Sequence, residues 1–369
     1  MKRIFKKIFE YIPIFSFVMI ILSFISLIFL IIFSNSSEFA DFFNKNMASV
    51  VRFLMATITT WIPFSLAEII LMLTPIWLFL LIFLAIKYGK EGKKASIRYF
   101  SVIVSIVLFV FITFVWTYSS GFHTTPIDES LALDTDTDEE DIYTTSNFIV
   151  DNLNMLADKI AYDENGSSKI TDSYGTLSKK ICSAYKKYAS EYGLIKTFDS
   201  SIKPIILSEP MTYTHISGVY TFMTGEGNIN TNYPDFVVVA SIAHELSHQR
   251  GIARENEANI TAFIVLINAD DPYLQYCGYL SVYSNILNAL YSSNKEQYYE
   301  VVSRLDSRVR RDLANYSEFF KKYTDSKAAE VTDKINNSYL QANGQENGTK
   351  SYGMIVESAC AYIIKYKMH

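Results

Sequence analysis

The sequence predicts a mainly α protein in two parts, an N-terminal transmembrane helical bundle and a mostly helical domain with a small β-sheet. Three observations lead there. Long, uncharged apolar stretches of bilayer-spanning length are confined to the first third of the chain. From about residue 142 onward, apolar residues recur at helical spacing. Between them, 203–208 (KPIILS) and 215–230 (HISGVYTFMTGEGNIN) form one short region rich in β-branched and aromatic residues.

The first span is predicted over 13–33 (PIFSFVMIILSFISLIFLIIF), which carries no charge and is long enough to cross a hydrocarbon core. It is too long for the apolar part of a signal peptide, and no small-residue cleavage site follows it. A second span is predicted over 67–86, with Pro75 tolerated inside it, and a third over 99–118, ending in the interfacial residues Trp116 and Tyr118. Lys2, Arg3, Lys6 and Lys7 precede the first span, and Lys87, Lys90, Lys93, Lys94 and Arg98 lie between the second and third. Only Lys45 and Arg52 lie between the first and second. The positive-inside rule therefore places the N-terminus in the cytoplasm and everything beyond residue 118 outside the cell. Residues 47–62 (MASVVRFLMATITTWI) are either an interfacial helix or a re-entrant segment, and a fourth crossing there would reverse the orientation.

Residues 119–141 are expected to be an acidic, solvated linker. The segment 119–143 holds eight carboxylates and no Lys or Arg. Its DTDTDEED run opens like a calcium loop, but Glu139 and Thr145 stand where that loop needs Gly and Glu. The domain from 142 to 369 should begin with two long helices, 142–162 and 167–193, pass through the β-rich region, and return to helix from Asp235. Breaks are expected near Gly251, Pro272 and Gly278.

Composition narrows the function classes. Hydrophobic residues make up 50% of the 369-residue chain and the mean hydropathy is positive, which fits a membrane protein with one sizeable outer domain. A net charge of −5 with dispersed basic residues leaves no footprint for nucleic acid. Cys182, Cys277 and Cys360 form no CxxC pair and are read as buried small apolar residues. Tyr276, Tyr279 and Tyr283, at near-helical spacing, are read as packing.

Chemistry concentrates in 236–250, FVVVASIAHELSHQR. Two histidines four residues apart lie on one face of a helix, so His244 and His248 can ligate one metal ion. Glu245 then sits beside the ion, placed as general base for a water molecule. The apolar run into His244 implies burial, and two unpaired buried imidazoles would be costly. A third ligand is needed. Arg254 occupies the position where a metzincin would carry its third His and cannot bind zinc, but ENEAN follows at 255–259. Gly251 would end the first helix and let the second fold back. Glu255, Ala258, Asn259, Ala262 and Leu266 share a face of that second helix, whereas Glu257 points away. Glu255 is the preferred third ligand and Glu257 the alternative. Asn259 would orient a ligating imidazole from behind. His215 and Tyr213 are candidates to hydrogen-bond an oxyanion, with a structural role as the alternative for His215. Glu226 is either a polar group at the cleft or a turn residue between two glycines.

The HExxH helix followed by a Glu in an ExxA(D/N) helix resembles the gluzincin zinc peptidases, with Asn259 where that group often carries Asp and a shorter gap between His248 and Glu255. The chain also resembles a bacterial membrane family catalogued as domain of unknown function 3810. The blocks that carry this likeness are SGVYTFMTGEGNIN, AHELSHQRGIARENEAN and SYLQANGQENGTKSYG, together with the N-terminal spans. These resemblances imply a zincin-like outer domain, a Zn²⁺ cofactor and a multi-pass protein of the cell membrane. Anchoring in the membrane, rather than the resemblance, suggests hydrolysis of exported or membrane-associated peptide and protein substrates. The alternative is a non-proteolytic sensor or assembly factor that keeps a zinc site.

Overall fold

The computed structural model describes residues 9–368, so the basic residues Lys2, Arg3, Lys6 and Lys7 lie outside the described part. Within it the protein is mainly helical, with a single three-stranded sheet among the described residues.

Two helices are long and apolar enough to cross a membrane, α1 (Ile14–Asn35) and α6 (Lys93–Thr117), and they pack side by side. Between them run α2 (Ser37–Phe43), a π-helical turn (Asn44–Ala48), α3 (Ser49–Thr60), α4 (Leu66–Met72) and α5 (Thr74–Glu91). The second span is not the continuous helix expected over 67–86. It is a pair, α4 and α5, bent by 54°. Pro75 sits in the first turn of α5, where its missing N–H costs nothing, but it cannot donate to the carbonyl four residues back and so separates the two helices. If the bent pair is one span, the count of candidate spans rises from two to three.

Within 47–62, α3 follows without a break from α2 and the π-helical turn, and it is not among the helices long and apolar enough to cross a membrane. Its polar and small face, Ser49, Arg52, Ala56 and Thr59, is buried. Val50, Leu54 and Ile58 on the other face, and Trp61 just beyond, are exposed.

The stretch expected to be a solvated linker is ordered and packed over its first half. Ser119–Phe122 forms a buried 3₁₀ turn. Ile127 and Leu131, in and just after α7 (Ile127–Ser130), are buried in the main core. Most of the acidic side chains are exposed, as composition suggests, but composition does not report on the residues beside them. The buried apolar residues between them, together with backbone groups that find partners on Asp41 and Glu257, hold the segment down.

The remaining elements are α8 (Glu139–Ala157), α9 (Tyr174–Tyr192), β1 (Lys203–Pro204), α10 (Ser208–Thr212), β2 (Gly218–Thr221), β3 (Glu226–Ile229), α11 (Asp235–Gln249), α12 (Glu255–Ile267), α13 (Pro272–Ser293), α14 (Lys295–Ser303), α15 (Ser307–Lys321), α16 (Lys327–Ala342), a 3₁₀ turn (Gly348–Gly353) and α17 (Val356–Lys367). Asp138 starts α8 with a reciprocal cap to Asp141. The helices expected over 142–162 and 167–193 are shorter because 158–173 is a turn. There Asp163 accepts from the backbone of Asn165 and Ser167, and Gly166 takes a left-handed conformation. The sheet order is β1–β3–β2, with β1 parallel and β2 antiparallel to β3, leaving β2 at an edge. The core is built where α11, α12 and α13 pack together, with α8 on α13 and α9 on α12. All three cysteines are free and buried, and Tyr276, Tyr279 and Tyr283 are buried in the same core.

Candidate metal centre

The run from Phe236 to Leu246 is apolar at almost every inward position, so α11 is buried and its histidines face inside the protein. Gly251, at a φ of +97°, ends the helix in a conformation that disfavours any side chain. Four residues later α12 begins with Glu255 in its first turn. Small residues let α11 and α12 approach closely. Ser247 Oγ donates to the Ala258 carbonyl at 3.3 Å, and Tyr185 donates to the Ala243 carbonyl at 2.6 Å.

This brings His244, His248 and Glu255 together, each offering one ligand atom, all within 4.8 Å of one another. The two Nε2 atoms are 2.9 Å apart, and Glu255 Oε2 lies 3.1 and 3.3 Å from them. Both rings are oriented from behind. Nδ1 of His244 lies 2.7 Å from Asn259 Oδ1, and Nδ1 of His248 lies 2.7 Å from the Ile252 carbonyl. A carbonyl oxygen only accepts, so each Nδ1 carries the proton and each Nε2 lone pair points inward. Two inward lone pairs and a carboxylate oxygen at such separations repel one another unless a cation sits among them, and imidazole nitrogen with carboxylate oxygen suits a divalent transition ion. The donor set therefore fits a metal. Burial alone would raise the Glu255 carboxyl. Without a metal, with protons on the imidazoles in place of a cation, the positive charges of His248 and His244 overcome that and hold it well below the usual carboxylate range.

Glu257, the alternative ligand, is turned away from the triad. It pairs with Arg254 at 2.7 Å and accepts from the Ile127 backbone at 3.1 Å. Arg254 and Glu257 thus tie α12 to the segment after α6.

Glu245 is 4% exposed and follows His244 on α11. The backbone N–H of Tyr220 on edge strand β2 hydrogen-bonds it, while its Oε2 is buried with no hydrogen-bond partner. Desolvation pushes its carboxyl up to about 8. The His244 charge opposes this and the Glu255 charge adds to it. The sheet lies directly over it: a Cβ on Gly218 would come within 2.6 Å of Glu245 Oε1, and one on Gly227 within 3.4 Å of its Cβ. Glycine at these two strand positions is what lets the backbone pass so close. His244, Glu245 and Asn259 open into a cleft of about 990 Å³. Ala262 and Leu266 line it from α12, so the face predicted for that helix does converge on one space.

The other sequence candidates lie elsewhere. His215 reaches the cleft wall, but its Nε2 is 2.7 Å from the Tyr323 carbonyl and its ring packs on Phe320. Its proton is therefore committed to the backbone. Tyr213 is half-exposed at the end of α10, with its ring edge-on to Tyr323 and outside the cleft lining. The short helix α10 turns it outward, so neither residue is placed to donate to an oxyanion. Glu226 is not a cleft group either. It accepts from the backbone N–H of Leu66 and Ala67 and so caps α4.

Residues 39–359 match the family described as protein of unknown function (DUF3810). The chain belongs to this family. No curated protein and no solved structure matches it.

The match takes in the triad, the sheet over Glu245 and most of the N-terminal helices of this DUF3810 chain. Sequence reasoning missed three residues beside the triad. Tyr118 lies with its hydroxyl 2.9 Å from His248 Nδ1. Arg52 is wholly buried and donates to the Arg250 carbonyl at 3.2 Å, and Asn44 donates to the Gly251 carbonyl at 2.9 Å. Arg52, the one charged residue of α3, was the one available signal, because a buried cation needs a specific set of acceptors.

Proposed function

We propose that the chain is a membrane-anchored zinc metallopeptidase whose catalytic domain faces outward and hydrolyses exported or membrane-associated peptides. The observation that carries this reading is Glu245: a buried carboxylate with an unpartnered oxygen, next in sequence to one ligand of a three-residue set, opening on a cleft large enough for a peptide segment.

Zinc held by His244, His248 and Glu255 would supply a Lewis acid that polarises a carbonyl and eases the ionisation of water. Among the described residues no fourth protein ligand joins the set, which favours an open catalytic site over a closed structural one. Glu245 takes a proton from the attacking water with its free oxygen and returns it to the leaving amine. Tyr220 N–H holds the other oxygen, so the carboxylate keeps one orientation throughout. Asn259 and the Ile252 carbonyl keep both imidazoles in the ligating tautomer.

Orientation rests on the basic residues. Lys87, Lys90, Lys93, Lys94 and Arg98 gather around the junction of α5 and α6. Of the two basic residues on the opposite side, Arg52 is buried and Lys45 donates to the Gly193 carbonyl. The cytoplasmic side is thus the α5–α6 junction and the domain lies outside.

The test is the full chain in detergent, loaded with zinc and incubated with a mixed peptide library read by mass spectrometry. Glu245→Gln should keep one zinc and lose about 100-fold or more of the hydrolysis. Full hydrolysis by this variant with zinc retained would overturn the reading. A zinc-loaded wild-type chain that cleaves no peptide would favour the sensor or assembly role.

A further inference from the structure

We propose that the membrane anchor completes the metal centre: Tyr118, at the foot of α6, and Arg52, on α3, are positioning residues that hold His248 and the turn behind it in the ligating arrangement. The inference rests on the metal-site reading of His244, His248 and Glu255.

His248 is the last histidine of α11, where helices fray unless their ends are held. Its Nδ1–H points at the Ile252 carbonyl, 2.7 Å away, with the Tyr118 hydroxyl 2.9 Å away on the same nitrogen. The Tyr118 ring meets the imidazole edge-on, with centroids 6.0 Å apart. The single Nδ1–H is shared between the Ile252 carbonyl and the Tyr118 hydroxyl oxygen, both accepting, which holds the ring against rotation about χ2 and keeps Nε2 aimed at His244 and Glu255. Ile252 belongs to the same turn as His248, whereas Tyr118 is 130 residues away on the anchor. Tyr118 therefore fixes the ring relative to the membrane-crossing helix rather than to its own turn.

Arg52 fixes the turn itself. Its Nη1 donates to the Thr117 carbonyl at 2.6 Å and to Asn44 Oδ1 at 2.9 Å. Its Nη2 donates to the Asn44 carbonyl at 2.9 Å and to the Arg250 carbonyl at 3.2 Å. A fully buried guanidinium is tolerated only while such acceptors stay in place. It also sits at the carbonyl end of α11, where a cation is favoured. Asn44 adds a bond from Nδ2 to the Gly251 carbonyl at 2.9 Å. Space is as tight as the bonding. A Cβ at Gly251 would lie 2.3 Å from Arg52 Nη2, and one at Gly121 would lie 2.3 Å from the Gly251 oxygen. Three separate pieces of chain, 44–52, 117–121 and 248–252, thus close on one another immediately behind a ligand.

Other contacts between the N-terminal segment and the domain do not touch the triad. Glu68 accepts from the backbone of Ile206 and Leu207. Glu68→Gln therefore reports on attachment of the two parts without the clamp.

The experiment uses the full chain in detergent with Co²⁺ as the probe, reading its visible absorption bands and its affinity by titration. Tyr118→Phe removes one hydroxyl and keeps the ring, so folding should survive. It should shift the Co²⁺ bands and weaken binding about tenfold, the lower range for groups behind a ligand. Arg52→Gln should do both more strongly, and Glu68→Gln should leave spectrum and affinity as in wild type. Wild-type spectrum and affinity in both Tyr118→Phe and Arg52→Gln would overturn the inference, and so would an equal shift in Glu68→Gln. A folded wild-type chain that takes up no Co²⁺ would instead overturn the metal reading itself, and the inference with it.

Discussion

His244 and His248 stand one helical turn apart on α11 and are oriented by different means. His244 relies on a side chain, Asn259 Oδ1 at 2.7 Å, while His248 relies on the backbone carbonyl of Ile252 and on Tyr118. Mutation can therefore reach the first independently. Asn259→Ala should weaken metal binding by about 10–100-fold, and Asn259→Asp, which keeps the acceptor, should stay within a few-fold of wild type. Competition against a chelator of known affinity measures both, and an Asn259→Ala chain with wild-type affinity would refute the role. At this scale sequence reading reaches as far as which near neighbours come together. His244, Glu245, His248, Glu255 and Asn259 lie within sixteen positions, and helical periodicity decides which of them share a side. It failed for Tyr213 and His215. Their direction is decided by α10 and by packing on Phe320 and Tyr323, more than a hundred positions away.

The strands and the helix they cover act as one element at the site. β2 and β3 cross α11 so closely that Glu245 occupies the room a side chain at Gly218 would need. Gly218→Ala should displace the carboxylate, since the buried helix behind it cannot retreat. The expected outcome is at least a tenfold fall in peptide hydrolysis with zinc content unchanged. Unaltered turnover would mean that the strand gives way instead. The turn after α11 is the second sensitive place. Gly251→Ala would force an L-residue into a left-handed conformation, at a cost of roughly 1–2 kcal/mol from the backbone alone. The steric conflict with Arg52 adds to that. A lowered thermal midpoint in detergent is expected, and one equal to wild type would contradict the close approach seen here. Gly251 could be read as a break in the sequence, but what presses on either glycine could not, because the pressing groups come from other elements.

Across the whole molecule, the N-terminal helices and the part built around α11 share a boundary knit by polar groups exchanged in both directions. Glu226 of the sheet caps α4, Glu68 of α4 receives the backbone of Ile206 and Leu207, and Lys203 donates to the Ile62 carbonyl. A metal bound only by the native fold stabilises it by mass action, by about 4 kcal/mol at a thousandfold excess over the dissociation constant. Stripping the metal with a chelator should therefore lower the thermal midpoint of the full chain in detergent. Glu255→Ala should show no metal-dependent shift, and an equal shift in that variant would place the stabilising ion elsewhere. The mainly α class, the apolar helices, the helix pair that brings His244, His248 and Glu255 together and the buried cysteines followed from the sequence alone. Each depends on residues a few positions apart, whose geometry is set by local backbone periods. The packing of residues 36–65 and 119–131, and the convergence of Tyr118, Asn44 and Arg52 behind His248, were decided only by the tertiary structure. Those contacts join residues 65 to 207 positions apart. The burial of a single charge and the close passage of two backbones select them, and neither leaves a repeating pattern along the chain.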